Sequence, residues 1–395
     1  MQTKKLLKIA KLPVLQIVFF TLIALVVRLH GLSFITADMK VFLIPWFQKI
    51  QNGGGLLSLK HQIGDYGIPY QTIIALLSYL PFNPVKMYKS VSILFDFVLA
   101  ASVAFLIRTF VPSKDLFIST PVLGYAIILL LPTTIWNSSI WGQCDAIYAS
   151  FCILAITYAE KNKLIPSSLF LGLAFAFKLQ TVFILPYFIY KILQNSNFKQ
   201  FLYLLLAIIP MIVLSIPALL VGRNPIEIIT IYFNQVSTYK AMSLNYPSFW
   251  PLIASPQQSD FYSSSSLLAI ALAGIAILAL LIFGLLHLDT DSQTNIVMAF
   301  VLVLTTVFFL PDMHERYGYL AEILVVIVAI MRPKFSIIAF VLELTASAAY
   351  GTYLFGASVP LPILSCVNLI CLSTSLLLLI YPTLQNSPQI SDSIG

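Results

Sequence analysis

The sequence predicts an all-α, polytopic membrane protein: a bundle of about 11–13 transmembrane helices, with a first outer loop that is itself helical. Three observations predict it. Hydrophobic residues make up 59% of the 395 and charged residues only 9%, whereas soluble domains carry roughly 25% charged residues. Apolar runs of about 17–25 residues, the length that crosses a hydrocarbon core, recur from end to end. Lys and Arg are segregated among the connecting loops, as the positive-inside rule describes for a multi-pass chain.

The candidate spans are 12–29, 86–108, 118–135, 143–159, 164–178, 180–193, 200–221, 264–287, 294–310, 317–331, 335–355 and 361–381. Lys4, Lys5, Lys8 and Lys11 precede the first run, which reaches Leu29 without a small-residue cleavage site and so reads as a retained span. Residues 38–52 (DMKVFLIPWFQKIQN) read as an amphipathic helix on the membrane surface, stopped by Gly53-Gly54-Gly55. No Lys-Ser/Thr follows the glycines, so they are a breaker and not a phosphate loop. Segment 69–82 is short and bounded by prolines, and reads as a re-entrant or interfacial helix closing the first loop. With no repeat and no low-complexity linker, residues 1–381 form one transmembrane domain. The polar tail 382–395 reads as disordered.

Orientation follows from the basic residues. A cytoplasmic N-terminus puts Arg108 with Lys114, Lys161 with Lys163, Lys191 with Lys199 and Arg332 with Lys334 inside. The outer side then receives two long loops, 30–85 and 222–262, and two short turns, 136–142 and 311–316. The net charge of +7 belongs to the inner loops and to anionic head groups. Basic stripes interleaved with aromatics are absent, which excludes a nucleic-acid partner. Cys144, Cys152, Cys366 and Cys371 make no metal-ligand spacing and read as packing residues.

Acids are scarce, and an ionisable group inside a membrane protein is costly unless it faces a cavity or a partner. Asp38 follows the first span at the outer surface, where it serves as a general base or as the N-cap of the next helix. Asp65 and Tyr66, in His61-Gln62-Ile63-Gly64-Asp65-Tyr66-Gly67, suit sugar hydroxyls or an ordinary turn. Trp141, Gln143 and Asp145 open a span at its outer end. They offer a stacking surface with hydrogen-bonding groups, or an interfacial Trp with a capping Asp. Asn137-Ser138-Ser139 matches the glycosylation acceptor pattern, which is common by chance.

Lys178, with Gln180, neutralises a phosphate or snorkels to head groups. Asn245 lies in a polar and aromatic stretch that covers a bound sugar or rests at the interface. The sharpest feature is Pro311-Asp312-Met313-His314-Glu315-Arg316-Tyr317. A topological charge signal would sit inside, and this one lies outside. His314 and Arg316 suit a phosphate with Glu315 orienting the arginine, and the alternative is a self-satisfied salt-bridged turn. Asp96, inside span 86–108, has no obvious partner. Asp38, Asp145, His314 and Glu315 are acceptable ligands for a divalent metal, but no spacing demands one, so neither a metal nor a cofactor is predicted.

Together these residues resemble a bacterial family of GT-C glycosyltransferases related to the eukaryotic enzyme that adds the second mannose to GPI anchors. The resemblance runs through Asp38-Met39, Phe42 to Trp46, Gly64-Asp65-Tyr66 with Pro69-Tyr70, and Ser92 to Asp96. It continues through Asn137-Ser138, Trp141 to Asp145 with Ile147-Tyr148, Phe177 to Gln180, Asn245, and Met313 to Tyr317, covering roughly residues 12–330. It implies a bacterial inner-membrane enzyme with its active site facing away from the cytoplasm and a polyprenyl-phosphate sugar as donor. Asp38 would be the catalytic base. Asp65, Tyr66, Trp141, Gln143, Asp145, Lys178, Gln180, Asn245, His314, Glu315, Arg316 and Tyr317 would bind substrate. The expected reaction passes a hexose, mannose by resemblance, to a lipid-linked or cell-envelope glycan with inversion. Gln71-Thr72 depart from the family pattern, and 335–381 carry none of its motifs. The rival reading, a transporter or flippase of a lipid-linked sugar, predicts inverted halves with broken helices at the midplane, and no matching halves are seen.

Overall fold

A computed structural model describes residues 12–112, 117–195, 198–237, 240–255 and 259–386. Lys4, Lys5, Lys8, Lys11, Lys114 and residues 387–395 of the predicted tail lie outside the described residues. The chain begins with α1 (Pro13–Gly31), a π-helical turn at Met39–Leu43, α2 (Ile44–Asn52), α3 (Ile68–Leu77) and α4 (Pro84–Phe110). Next comes α5 (Thr120–Leu130), bent by 54° from the piece that follows it, Pro132–Trp141. Then come α6 (Asp145–Glu160), α7 (Leu164–Phe177), α8 (Leu185–Gln194), α9 (Phe201–Leu220) and α10 (Glu227–Ser237). The last are α11 (Ser259–His287), α12 (Ser292–Phe309), α13 (Tyr319–Met331), α14 (Ser336–Phe355) and α15 (Leu361–Asn386). All twelve predicted spans are helical. The first residues of the expected tail belong to α15, which runs on to Asn386.

Among the described residues, seven helices are long and apolar enough to cross a membrane, or eight if the bent pair counts as one span. The chain is a multi-pass, all-α membrane protein. The shorter segments α6, α7 and α13 are buried rather than lipid-facing along much of their length. The most central long helix is α12, with 83% of its apolar window buried, while α9 has only 17% buried. An apolar helix left open in this way faces lipid.

Burial of apolar surface does not hold helices together in lipid; close packing of small residues and internal hydrogen bonds do. Gly172 of α7 lets the backbone of α9 approach so closely that an added Cβ would lie 2.1 Å from the Ala207 carbonyl oxygen. Asp96, for which the sequence offers no obvious partner, is held by Arg28 at 2.7 Å and by Ser138 at 2.5 Å. This buried pair ties α1, α4 and the piece after α5, and Arg28 also donates to the Leu129 carbonyl at 2.9 Å. At the other end of the bundle Glu160 accepts from Lys191 at 3.0 Å, Tyr187 at 2.6 Å and Asn295 at 3.1 Å.

The first long loop packs on the bundle. Met39, Leu43, Phe47 and Ile50 are spaced by three or four residues, so they share one face of the helix, and all four are buried. The helix stops at the glycine triplet: Gly54 and Gly55 take φ of 82° and 63°, and a Cβ on Gly55 would meet the Tyr79 ring at 2.4 Å. Arg223 joins the two long loops. It donates to Gln62, to Gln71 at 3.2 Å, and pairs with Glu227 at 3.2 Å. Gln71, which breaks the family pattern, therefore serves this bridge.

Candidate active site

The site is assembled where the two long loops meet the turn after α12. Strand β1 (Ser243–Leu244) pairs in parallel with β2 (Met313–His314), and Asn245 forms an antiparallel bridge with His314. Asp312 completes the strap: its backbone and side chain bond Ala241, each at 3.0 Å, and its carboxylate accepts from Tyr262 at 2.8 Å. Asn245 and Asp312 adopt φ of 65° and 62°. Asn and Asp are the non-glycine residues that enter this region most readily, which is how the sequence permits both kinks. The backbone N–H of Glu315 donates to Leu244 at 3.0 Å, and Asn245 hydrogen-bonds the Glu315 side chain.

Asp38 sits at the head of the π-helical turn but does not cap it. Its Oδ2 accepts from Trp141 Nε1 at 2.8 Å and from Gln143 Nε2 at 3.3 Å, and its Oδ1 accepts from the Tyr353 hydroxyl. Of the two roles open to it in the sequence, the capping bond is not made. Gln143 in turn accepts from Tyr66 at 2.9 Å. Gly142, at φ 78°, turns the chain between Trp141 and Gln143, and a Cβ there would meet Met39 at 2.8 Å.

Asp145, the first residue of α6, is fully buried. It accepts from Lys178 and from Asn137 at 2.8 Å, and pairs with Arg316 at 3.5 Å. Lys178 is 7% exposed, so it does not snorkel to head groups. Lys178 and Arg316 thus both turn to the one carboxylate of Asp145, which gathers two basic side chains at one point of a low-dielectric setting. The expectation that Glu315 orients Arg316 is corrected: the ion-pair partner within 4.0 Å is Asp145. Arg316 also lies 5.7 Å from the ring centres of both Trp141 and Tyr317. Gln180 hydrogen-bonds Tyr317, whose ring is 5.0 Å from that of His314. Asn137 is buried and bonded to Asp145, so the glycosylation pattern at 137–139 is not displayed.

Trp141 is not the open stacking surface that the sequence suggests: its side chain is 1% exposed. Asp65 lies on the exposed loop beside Tyr66, with its carboxyl raised by partial burial. The other expected residues converge around Trp141 and the strap. Among the described residues, no three His, Cys, Asp or Glu side chains are grouped to hold a metal ion. One participant escaped the sequence reading. Tyr353 belongs to α14, and an aromatic residue inside an apolar span carries no local signal of its role.

His314 and Glu315 titrate in opposite senses. Burial, reinforced by Arg316 and Lys178, pushes the His314 imidazole down to about 3. Burial pushes the Glu315 carboxyl up to about 7, against Arg316, which lowers it. The folded chain therefore holds the Glu315 proton where the unfolded chain has lost it, and stability falls as pH rises from 4.5 to about 7. The imidazole does the reverse, adding stability as pH rises from about 3 to 6.5. Between 4.5 and 6.5 the two slopes oppose. His314→Gln should leave thermal midpoints in detergent falling across the glutamate window, and Glu315→Gln should leave them rising across the histidine window. Profiles of the two variants that run parallel would refute this assignment.

Residues 66–311 match glycosyltransferase family 87. No curated protein matches the chain. The matched region contains Tyr66, the Trp141–Asp145 segment, Lys178, Gln180 and Asn245, while Asp38 and the His314–Tyr317 turn fall outside it. Multi-pass helices and a family match over more than half its length make this chain a membrane glycosyltransferase, a member of glycosyltransferase family 87.

Proposed function

We propose that the enzyme is of the GT-C type and transfers a hexose, mannose in the first instance, from a polyprenyl-phosphate sugar to a hydroxyl of a lipid-linked or cell-envelope glycan. Transfer occurs with inversion at the extracytoplasmic face of a bacterial inner membrane. The observation that carries this reading is the division of roles around Trp141. On its indole N–H sits the carboxylate of Asp38, and near its ring sits Arg316, which shares the Asp145 carboxylate with Lys178.

In the reaction, Asp38 takes the proton of the acceptor hydroxyl as its oxygen attacks the anomeric carbon. The bond from that carbon to the phosphate oxygen breaks, and its electron pair leaves with the polyprenyl phosphate. Arg316 and Lys178 meet the growing negative charge, and His314, neutral at physiological pH, lies beside them without adding charge. Tyr66, Gln143, Asn245 and Gln180 surround the sugar, and Asp65 lies at the rim.

The sidedness is supported by α12. Its 18 residues rise about 27 Å, from Asn295 beside Glu160 and Lys191 to the turn that carries Arg316. A hydrocarbon core is about 30 Å thick. This length supports a reading in which the basic end and the strap lie on opposite faces.

The test is to incubate purified protein with a panel of labelled undecaprenyl-phosphate hexoses and a glycolipid extract. One donor should be consumed, with label appearing in a glycan of inverted anomeric configuration. Label crossing liposome membranes with no glycosidic bond formed would instead favour the flippase reading.

A further inference from the structure

Trp141 is sealed from solvent, and Tyr353 is part of the seal. The two rings are stacked, with centroids 4.7 Å apart and planes 22° apart, and the Tyr353 hydroxyl donates to Asp38 Oδ1. The other carboxylate oxygen is already held by Trp141 and Gln143. Tyr353 itself is 36% exposed against 1% for Trp141, so it forms the outer layer over both groups.

A flat face laid on the indole and a hydroxyl presented to the carboxylate are the two contacts that a pyranose acceptor needs. Its C–H face stacks on an aromatic ring, and its nucleophilic hydroxyl must reach the base. We propose that Tyr353 is a placeholder for the acceptor sugar: it fills the acceptor subsite of the empty enzyme, and an incoming hydroxyl-bearing pyranose displaces it from Trp141 and Asp38. This rests on Asp38 being the base.

The placement of Tyr353 suits departure. It lies two residues from the end of α14 at Phe355, and Gly356 follows with φ of 68°. One turn earlier, Tyr350 contacts the Trp141 ring edge-on, with centroids 5.6 Å apart, and receives a hydrogen bond from Asn137. That residue keeps α14 docked while Tyr353 changes rotamer. The cover also has a purpose when no acceptor is bound. With Asp38 uncovered, water takes the acceptor's place: Asp38 accepts its proton, its oxygen bonds to the anomeric carbon, and the carbon–oxygen bond to phosphate breaks. The products are free hexose and polyprenyl phosphate, and the donor is wasted.

The experiment measures release of free hexose from undecaprenyl-phosphate mannose by the purified full-length protein without any glycan acceptor. Tyr353→Ala should raise release about fivefold over wild type, the factor to which one hydrogen bond of ordinary net strength corresponds. Tyr353→Phe keeps the ring and loses the bond to Asp38, and should lie between them. Adding Asp38→Asn to Tyr353→Ala should abolish the gain. If Tyr353→Ala does not fold, release by Tyr353→Phe no higher than wild type overturns the proposal; if it folds, unchanged or lower release does so. In either case wild-type transfer to membrane glycolipids stays intact, and the transferase reading survives. A wild-type protein that neither transfers nor hydrolyses any donor overturns that reading, and the placeholder with it.

Discussion

Asp38→Asn is expected to lower the rate of sugar transfer by about 10²–10⁴, the usual contribution of a positioned general base. The substitution is nearly isosteric, and its effect on the fold should be small. The helix that follows Asp38 is not capped by its side chain, so no cap is lost. Three donors converge on the carboxylate, from Trp141, Gln143 and Tyr353. An amide can still accept at one oxygen, but its NH2 group faces a donor and cannot take a proton from the acceptor. The measurement is initial transfer rate at saturating donor, beside the thermal midpoint in the same detergent. A variant with near-wild-type transfer would remove Asp38 from the mechanism. A variant with a greatly lowered midpoint would move its importance to the fold.

The second large effect is expected at Asp145. Asp145→Ala should cost about 3–5 kcal/mol of stability, the range found when one partner of a buried ion pair is removed. The reason is what stays behind: Lys178 and Arg316, 7% and 16% exposed at the side chain, would face each other without a counter-charge, and Asn137 would lose its acceptor. Asp145→Asn with Lys178→Met removes one charge of each sign and should recover much of the loss. Stability read by denaturant unfolding in mixed micelles separates the two. If the single alanine variant is as stable as wild type, the three groups do not act as a buried network.

Much of this arrangement was legible in the sequence, for identifiable reasons. The helices were legible because each span must satisfy its own backbone in apolar surroundings, and the runs that do so are visible as composition. Gly53-Gly54-Gly55 was legible as a stop because its conformational freedom is local. The gathering of Asp38, Trp141, Gln143, Asp145, Lys178, Asn245 and Arg316 was anticipated from their common outer side in the topology and from the family resemblance. What escaped was pairing. Asp96 and Arg28 stand 68 residues apart, and nothing local in either marks the other. Lys178 reads equally as a snorkelling residue or a buried cation until Asp145 is placed beside it. Glu315 and Arg316 are adjacent in sequence and invite each other, but the strap bonds Glu315 to Asn245 and leaves Arg316 to Asp145. Tyr353 escaped altogether, since a tyrosine among Ala, Gly and Leu looks like any interfacial aromatic.

The strap between β1 and β2 also governs when the site is completed during synthesis. Its bonds join Ala241 to Asp312 across 71 residues, and Tyr353 reaches Asp38 across 315. A nascent chain inserted only as far as α11 would have its early helices in the bilayer with the carboxylate of Asp38 still waiting for its last donor. The cationic cluster would likewise lack Arg316 until α12 had crossed. Closing such long loops carries an entropic cost that grows slowly with length, so the delay is one of delivery by the ribosome rather than of search. The site is among the last parts of the molecule to take shape, and a product released before α14 would enter the membrane with no tyrosine over its carboxylate.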